Sequence, residues 1–190
     1  MDPVTAPDTV TCHGERFRLY LDEETIARRT RAIGQQISEE YAGRDQPPIL
    51  IGVLNGAFMF LADLMRAVTI DCEVDFLQLS SYGAAKVSSG NVTELKKLGA
   101  QVKGRDLVIV EDIVDTGLSM QYILDRLKEA EPASVKTATL LHKKEATRVD
   151  VTLDYVGFEI DNLFVIGYGL DYAQIARNLP AIYILDEEKE

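Results

Sequence analysis

The sequence predicts an α/β fold: a central, mostly parallel sheet flanked by helices, in a single domain spanning residues 1–190. Three observations predict it. Leu107-Val108-Ile109-Val110 is a continuous apolar run, the mark of a strand buried on both faces, and Met120, Ile123, Leu124 and Leu127 follow it at helical spacing. Ile49-Leu50-Ile51-Gly52-Val53-Leu54 is a second such run, followed across Asn55-Gly56 by Phe58, Leu61, Ala62 and Met65 at helical spacing. Residues 135–141 read as a further strand, alternating Thr with apolar residues. Repeated strand–loop–helix units need crossover connections, and these make parallel sheets with helices on their faces.

The remaining elements follow in chain order. Residues 1–10, with Asp2, Pro3, Pro7 and Asp8, read as a loose tail. Asp22 or Thr25 suits the N-cap of a helix ending near Tyr41, with an apolar stripe of Ile26, Ala27, Ile33, Ile37 and Tyr41. Arg28, Arg29 and Arg31 read as a solvated face. Residues 43–48 form a loop. Residues 73–79 are strand-like, and 80–92 are small, polar and glycine-bearing, which suits either a lid or a hairpin tip. The chain returns over 95–103, and Gly104-Arg105-Asp106 turns it into the 107–110 strand. Glu131-Pro132 closes the helix after that strand. Residues 154–172 read as strand, tight turn, strand, with a bend at Gly167 and Gly169. A last strand runs over 181–185, ahead of an acidic tail.

Composition narrows the partners. The net charge of −11 gives no nucleic-acid footprint, so a phosphate must be met by backbone, metal or a few local cations. Cys12 and Cys72 are expected as buried thiols, since two cysteines make neither a disulfide framework nor a metal cluster. No apolar run reaches membrane-spanning length and no basic-then-apolar leader opens the chain, so no membrane partner and a cytoplasmic location are expected.

Chemistry concentrates where the 107–110 strand ends. Glu111 and Asp112 follow it, then Asp115 three residues after Asp112, then Thr116-Gly117-Leu118-Ser119 leading into the helix. In open α/β sheets ligands bind outside the carboxyl ends of the strands. A loop entering a helix presents free backbone N–H groups and the positive end of the helix dipole to a phosphate. Thr116 and Ser119 add hydroxyls. The loop lacks the Gly-Lys-Ser/Thr ending of nucleotide triphosphatases and the three glycines of the dinucleotide fingerprint. Two acids ahead of a phosphate loop point instead to a phosphate whose neighbouring hydroxyls and metal need carboxylates.

That combination closely resembles the 5-phosphoribosyl-1-diphosphate signature of the type I phosphoribosyltransferases. The likeness extends from about Leu19 to Leu185. Val156-Gly157-Phe158-Glu159-Ile160, Phe164-Val165-Ile166-Gly167-Tyr168 and Leu170-Asp171-Tyr172 resemble the purine-binding segment of the hypoxanthine-guanine phosphoribosyltransferases. The resemblance implies the type I phosphoribosyltransferase fold, with a small hood over the purine to which residues 142–190 contribute, and a mobile lid containing Ser81 and Tyr82. It implies that Glu111, Asp112, Asp115, Thr116, Gly117, Leu118 and Ser119 bind the phosphoribosyl diphosphate, with Asp115 as general base. Leu54, Asn55, Gly56 and Arg177 would meet the pyrophosphate, across a Leu54–Asn55 peptide that is or becomes cis. Asn55 stands where the family often has Lys or Arg, which leaves that contact to the amides. Lys143, Phe164, Val165 and Asp171 would meet the purine or its surroundings, and Glu111, Asp112 and Asp171 the magnesium (Mg2+). The implied reaction moves the phosphoribosyl group to N9 of hypoxanthine or guanine, in purine salvage, by a homodimer or homotetramer. Two alternatives stand beside this reading: a regulator that keeps the fold, whose markers, loss of Asp115 and a basic face, are both absent at a net charge of −11, and an enzyme of the same fold acting on another base such as xanthine or a pyrimidine. The sequence assigns no role to His13 or His142.

Overall fold

The computed structural model describes residues 6–81, 92–96 and 98–186. The strands are β1 (Thr9–Cys12), β2 (Glu15–Leu21), β3 (Ile49–Leu54), β4 (Glu73–Ser81), β5 (Val92–Lys96), β6 (Asp106–Val114), β7 (Ser134–His142), β8 (Tyr155–Glu159), β9 (Val165–Ile166) and β10 (Ile182–Leu185). The helices are α1 (Glu23–Tyr41), α2 (Phe58–Ala67) and α3 (Leu118–Lys128). Among the described residues these strands form a six-stranded sheet ordered β5-β4-β3-β6-β7-β8 and a four-stranded sheet ordered β1-β2-β10-β9. In the larger sheet only β5 runs antiparallel to its neighbour; the other pairings are parallel.

Strand alternation divides the core. Leu50, Val108, Val110, Ala138 and Leu140 face α1 and α2, while Ile49, Ile51, Val53, Leu107 and Ile109 face α3. Both faces are therefore covered, as a parallel sheet requires. Helix α1 starts where its cap does: the Asp22 side chain accepts from Thr25 N at 2.7 Å, with Glu23 and Glu24 in the first turn, where the dipole favours them. Its buried face holds the predicted Ile26, Ile33, Ile37 and Tyr41, and also Thr30, Gly34 and Ser38.

Several expectations are corrected. The apolar stripe of α2 is Phe60, Leu61 and Leu64; Phe58 and Ala62 are exposed, because the helix is rotated relative to the phase in which they would share the buried face. Thr9 and Val10 belong to β1 rather than to a loose tail. They pair with β2 across a two-residue turn at His13 and Gly14, both at positive φ, the geometry that suits a tight hairpin. Arg29 is not solvated: its guanidinium donates to the Gly157 carbonyl at 2.9 Å and to the Val156 carbonyl, tying α1 to β8. Residues 154–172 are not one hairpin, since β8 pairs with β7 in the large sheet and β9 with β10 in the small one. The small sheet combines β9 and β10 with two strands from the amino-terminal part of the chain, β1 and β2. Cys12 and Cys72 are free thiols, but Cys72 is only half-buried. Among the described residues no helix is long and apolar enough to cross a membrane.

Candidate active site

The carboxyl ends of β3, β6 and β7 and the bend after β9 converge on one region. Strand β6 is longer than its apolar run suggests: it continues through Glu111 and Asp112 to Val114, because edge-on pairing with β7 continues past the apolar residues to Val114↔His142. The acids thus lie in the strand, and the loop proper is Asp115, Thr116 and Gly117. Gly117 is the N-cap of α3, left-handed at φ 82, and no side chain caps the helix. The first-turn amides of α3 therefore have no helical acceptor, the Leu118 amide making only a long contact to Thr116 Oγ1 at 3.5 Å, and a concavity of about 90 Å³ beside them is lined by Glu111, Asp115, Thr116, Gly117 and Ser119, among others. A side chain at 117 is excluded twice, by the positive φ and because its Cβ would lie 2.8 Å from Val149 Cγ2.

Glu111 lines that concavity, and Asp112, one residue on, turns to the opposite side of the strand. Glu111 Oε2 is buried with no hydrogen-bond partner. Burial, then the charge of Asp112, pushes its carboxyl well above the ordinary value. Burial likewise raises Asp112 to about 6, against the stabilising Ile113 amide, which donates to Oδ1 at 2.9 Å, and the nearby charge of Arg177; Asp171 adds to the rise. Two carboxyls raised mainly by burial thus stand at the end of β6, on opposite sides of the strand.

The loop after β3 closes the far side. The Leu54–Asn55 peptide is cis, as expected. Gly56 is squeezed between two partners: a Cβ there would lie 1.6 Å from Asp112 Oδ2, and a Cβ on Gly169 would lie 2.2 Å from the Gly56 carbonyl oxygen. Arg177 holds this junction together. It pairs with Asp171 Oδ1 at 2.7 Å and donates to the Gly169 carbonyl at 2.7 Å, while Asp171 Oδ2 accepts from Gln174 N at 2.8 Å. Gly56, Asp112, Asp171 and Arg177, spread over more than a hundred residues of sequence, are thereby neighbours.

At the end of β7, Lys143 is only 9% exposed, and its Nζ lies 3.5 Å from Asp115 Oδ2. Phe164 is 45% exposed and meets Tyr172 edge to face, with centroids 5.1 Å apart. Tyr172 in turn packs against the His13 ring, whose Nε2 lies 3.2 Å from the Tyr172 carbonyl oxygen. Val165 is buried and pairs with Ile184. The structure thus brings Gly56 against Asp112 and Gly169, Arg177 against Asp171 and Gly169, and Lys143 beside Asp115; Phe164 and Val165 lie in the small sheet and its surroundings, against Phe17, Tyr172 and Ile184. Ser81 ends β4 opposite Val92, but Tyr82 and most of the expected 80–92 lid lie outside the described residues. A wide concavity of about 1050 Å³ along α1 and α2 is lined by none of the predicted site residues. Sequence reasoning missed the segment after Lys143, where Val149 and Val151 pack on Gly117 and the Arg148 amide donates to the Thr116 carbonyl at 3.0 Å. No periodicity or motif marks it.

A parallel sheet with acids and a phosphate-ready loop at one strand end, roofed by a small antiparallel sheet, defines a phosphoribosyl transferase domain, and the family model of that description matches residues 19–173. Among curated proteins, the chain is 41% identical over 174 residues to the hypoxanthine-guanine phosphoribosyltransferase of Aquifex aeolicus, covering 92% of this chain and 97% of that one. It is 43% identical over 176 residues to the bifunctional protein TilS/HprT of Listeria monocytogenes, covering 93% of this chain but only 27% of that longer protein. A solved hypoxanthine phosphoribosyltransferase from Staphylococcus aureus superposes with a TM-score of 0.84 at 36% identity, over 88% of this chain and 90% of that one. The chain belongs to the hypoxanthine-guanine phosphoribosyltransferase family.

Proposed function

We propose that the protein transfers the 5-phosphoribosyl group of 5-phosphoribosyl 1-diphosphate to N9 of hypoxanthine, and of guanine, releasing pyrophosphate and forming the purine nucleotide. One observation carries this reading: the Lys143 ammonium and the Asp115 carboxylate lie 3.5 Å apart at the ends of adjacent strands, directly beside the phosphate loop. A ribose 5′-phosphate on the loop amides would present C1 and an incoming base to this pair. Asp115 accepts the N7 proton as the base attacks, and Lys143 hydrogen-bonds O6 and favours the negative charge that builds there. A lone carboxylate would bind no 6-oxo group, and a lone lysine could take no proton. Phe164, exposed on one face and braced by Tyr172, offers a surface for stacking the purine ring. Amides near Gly56, together with Arg177, would serve as donors to the departing pyrophosphate.

The donor set suits magnesium. Glu111 has a buried oxygen without a partner, Asp112 and Asp171 bear on each other electrostatically, and all three offer hard oxygen ligands. Among the described residues no group of three or more His, Cys, Asp or Glu side chains is gathered that could hold a metal ion; in this proposal magnesium would take most of its ligands from substrate and water. When bound, magnesium would neutralise charge on the pyrophosphate. A cytoplasmic homodimer or homotetramer belongs to the same proposal.

The test is direct. The protein is incubated with magnesium, phosphoribosyl diphosphate and hypoxanthine, guanine, xanthine or a pyrimidine in turn, and nucleotide formation is followed. Product with hypoxanthine and guanine is expected; product only with xanthine or a pyrimidine, or none at all, would overturn the reading.

A further inference from the structure

Three successive carbonyls, those of the last residue of β6 and of the first two loop residues, are each held by the segment that follows β7. The Lys143 amide donates to the Val114 carbonyl at 2.9 Å, and the Arg148 amide donates to the Thr116 carbonyl at 3.0 Å. Between them, the Thr147 hydroxyl lies 3.0 Å from the Asp115 carbonyl oxygen. The outer two bonds come from main-chain amides, which almost any sequence would supply. The middle one depends on a side chain. The same hydroxyl lies 3.1 Å from the Lys143 carbonyl oxygen and 3.1 Å from His142 Nε2. It has a single hydrogen to donate and lone pairs with which to accept from the imidazole.

We infer that Thr147 is a positioning residue of the phosphate site, whose hydroxyl sets the peptide between Asp115 and Thr116. In a planar trans peptide the C=O and N–H point in opposite directions. Drawing the Asp115 carbonyl onto Thr147 turns the Thr116 amide the other way, towards the concavity where a phosphate would sit. The flanking bonds do the same for the amides of Asp115 and Gly117. The donors are then oriented before the ligand arrives, which is the condition under which backbone dipoles stabilise an anion without reorganising. With its one hydrogen on the Asp115 carbonyl, the hydroxyl can at the same time accept from His142 Nε2, while the Lys143 carbonyl is the competing acceptor at 3.1 Å. This inference deepens the proposed function and rests on it for the identity of the phosphate.

The experiment compares Thr147→Val, which keeps shape and removes the hydroxyl, with Thr147→Ser, which keeps the hydroxyl. Ribose 5-phosphate binding is measured by calorimetry, and KM for phosphoribosyl diphosphate and for hypoxanthine by steady-state kinetics. Thr147→Val is expected to weaken ribose 5-phosphate and raise the phosphoribosyl diphosphate KM by about fivefold to tenfold, the scale of one neutral hydrogen bond, with the hypoxanthine KM within about twofold. Thr147→Ser is expected to restore wild-type values within about twofold. Equal losses in both variants, or none in either, would overturn the inference. Failure of the wild-type protein to form nucleotide, with the Val/Ser difference in ribose 5-phosphate binding intact, would refute the proposed reaction and leave the role of Thr147 standing. Should Thr147→Val not fold, Thr147→Ala replaces it in the same measurements: a loss in ribose 5-phosphate binding that Thr147→Ser does not share is expected, and equal behaviour of the two variants would overturn the inference.

Discussion

Asp112→Asn should stabilise the metal-free protein while impairing its activity. The carboxyl of Asp112 is raised from 3.8 to about 6. Burial is the main cause and Asp171 adds to it, while the Ile113 amide and Arg177 act in the opposite sense. A rise of about two pH units at about 1.4 kcal/mol per unit corresponds to roughly 3 kcal/mol of unfavourable ionisation at neutral pH. Because Asp112 retains some access to solvent, a gain of about 1–2 kcal/mol is the expected observable. Asn keeps an oxygen to accept the Ile113 amide, so the main local hydrogen bond survives. Removing the charge also relieves Glu111, whose own rise owes part of its size to Asp112. Below pH 3.8 the side chain is protonated whether the chain is folded or unfolded, and the substitution changes nothing. Between 3.8 and about 6 the folded state binds more protons than the unfolded one, so wild-type stability falls as pH rises and the advantage of Asn grows; above about 6 it is constant. Urea denaturation in the presence of a chelator, at intervals from pH 4 to pH 8, reads this directly. Loss of stability at pH 8, or a gain of equal size at pH 4, would refute the reasoning.

Asp115→Asn should lower turnover by about 10²- to 10⁴-fold with an unchanged circular dichroism spectrum, the usual scale for losing a general base; an unchanged rate would remove Asp115 from the chemistry. Phe164→Ala should raise the purine KM by about fivefold or more, as expected for one lost stacking surface, and leave the phosphoribosyl diphosphate KM nearly constant; equal changes in both would exclude stacking. Gly56→Ala places a Cβ 1.6 Å from Asp112 Oδ2, so the carboxylate must swing away. Activity should fall at least tenfold and its magnesium dependence should shift to higher concentration; wild-type kinetics would show that Asp112 is free to move.

The layered sheet was legible because its strands are continuous apolar runs, each followed by a helix of regular spacing. The phosphate loop was legible for a different reason: acids and hydroxyls at a strand end have no packing purpose, so they stand out locally. What stayed hidden depends on long-range contact. The stripe of α2 could not be phased from spacing alone, because Phe58 and Phe60 are equally apolar and only the sheet decides which faces inward. The amino-terminal hairpin was missed because its strands are polar on one face and its partner, β10, lies at the other end of the chain. Asp112, Gly56, Gly169 and Arg177 were each named or visible, but their mutual packing arises from three separate elements. Thr147 carries no motif, and its importance lies in which carbonyl it meets.

The central claim is that a sugar phosphate docks where β6 passes into α3. A crystal structure of the protein with a bound purine nucleoside monophosphate tests it most directly. The phosphoryl group is expected on the backbone amides of residues 116–119, with the base between Phe164 and Lys143. A phosphoryl group bound anywhere else, including the wide groove along α1 and α2, would contradict the account.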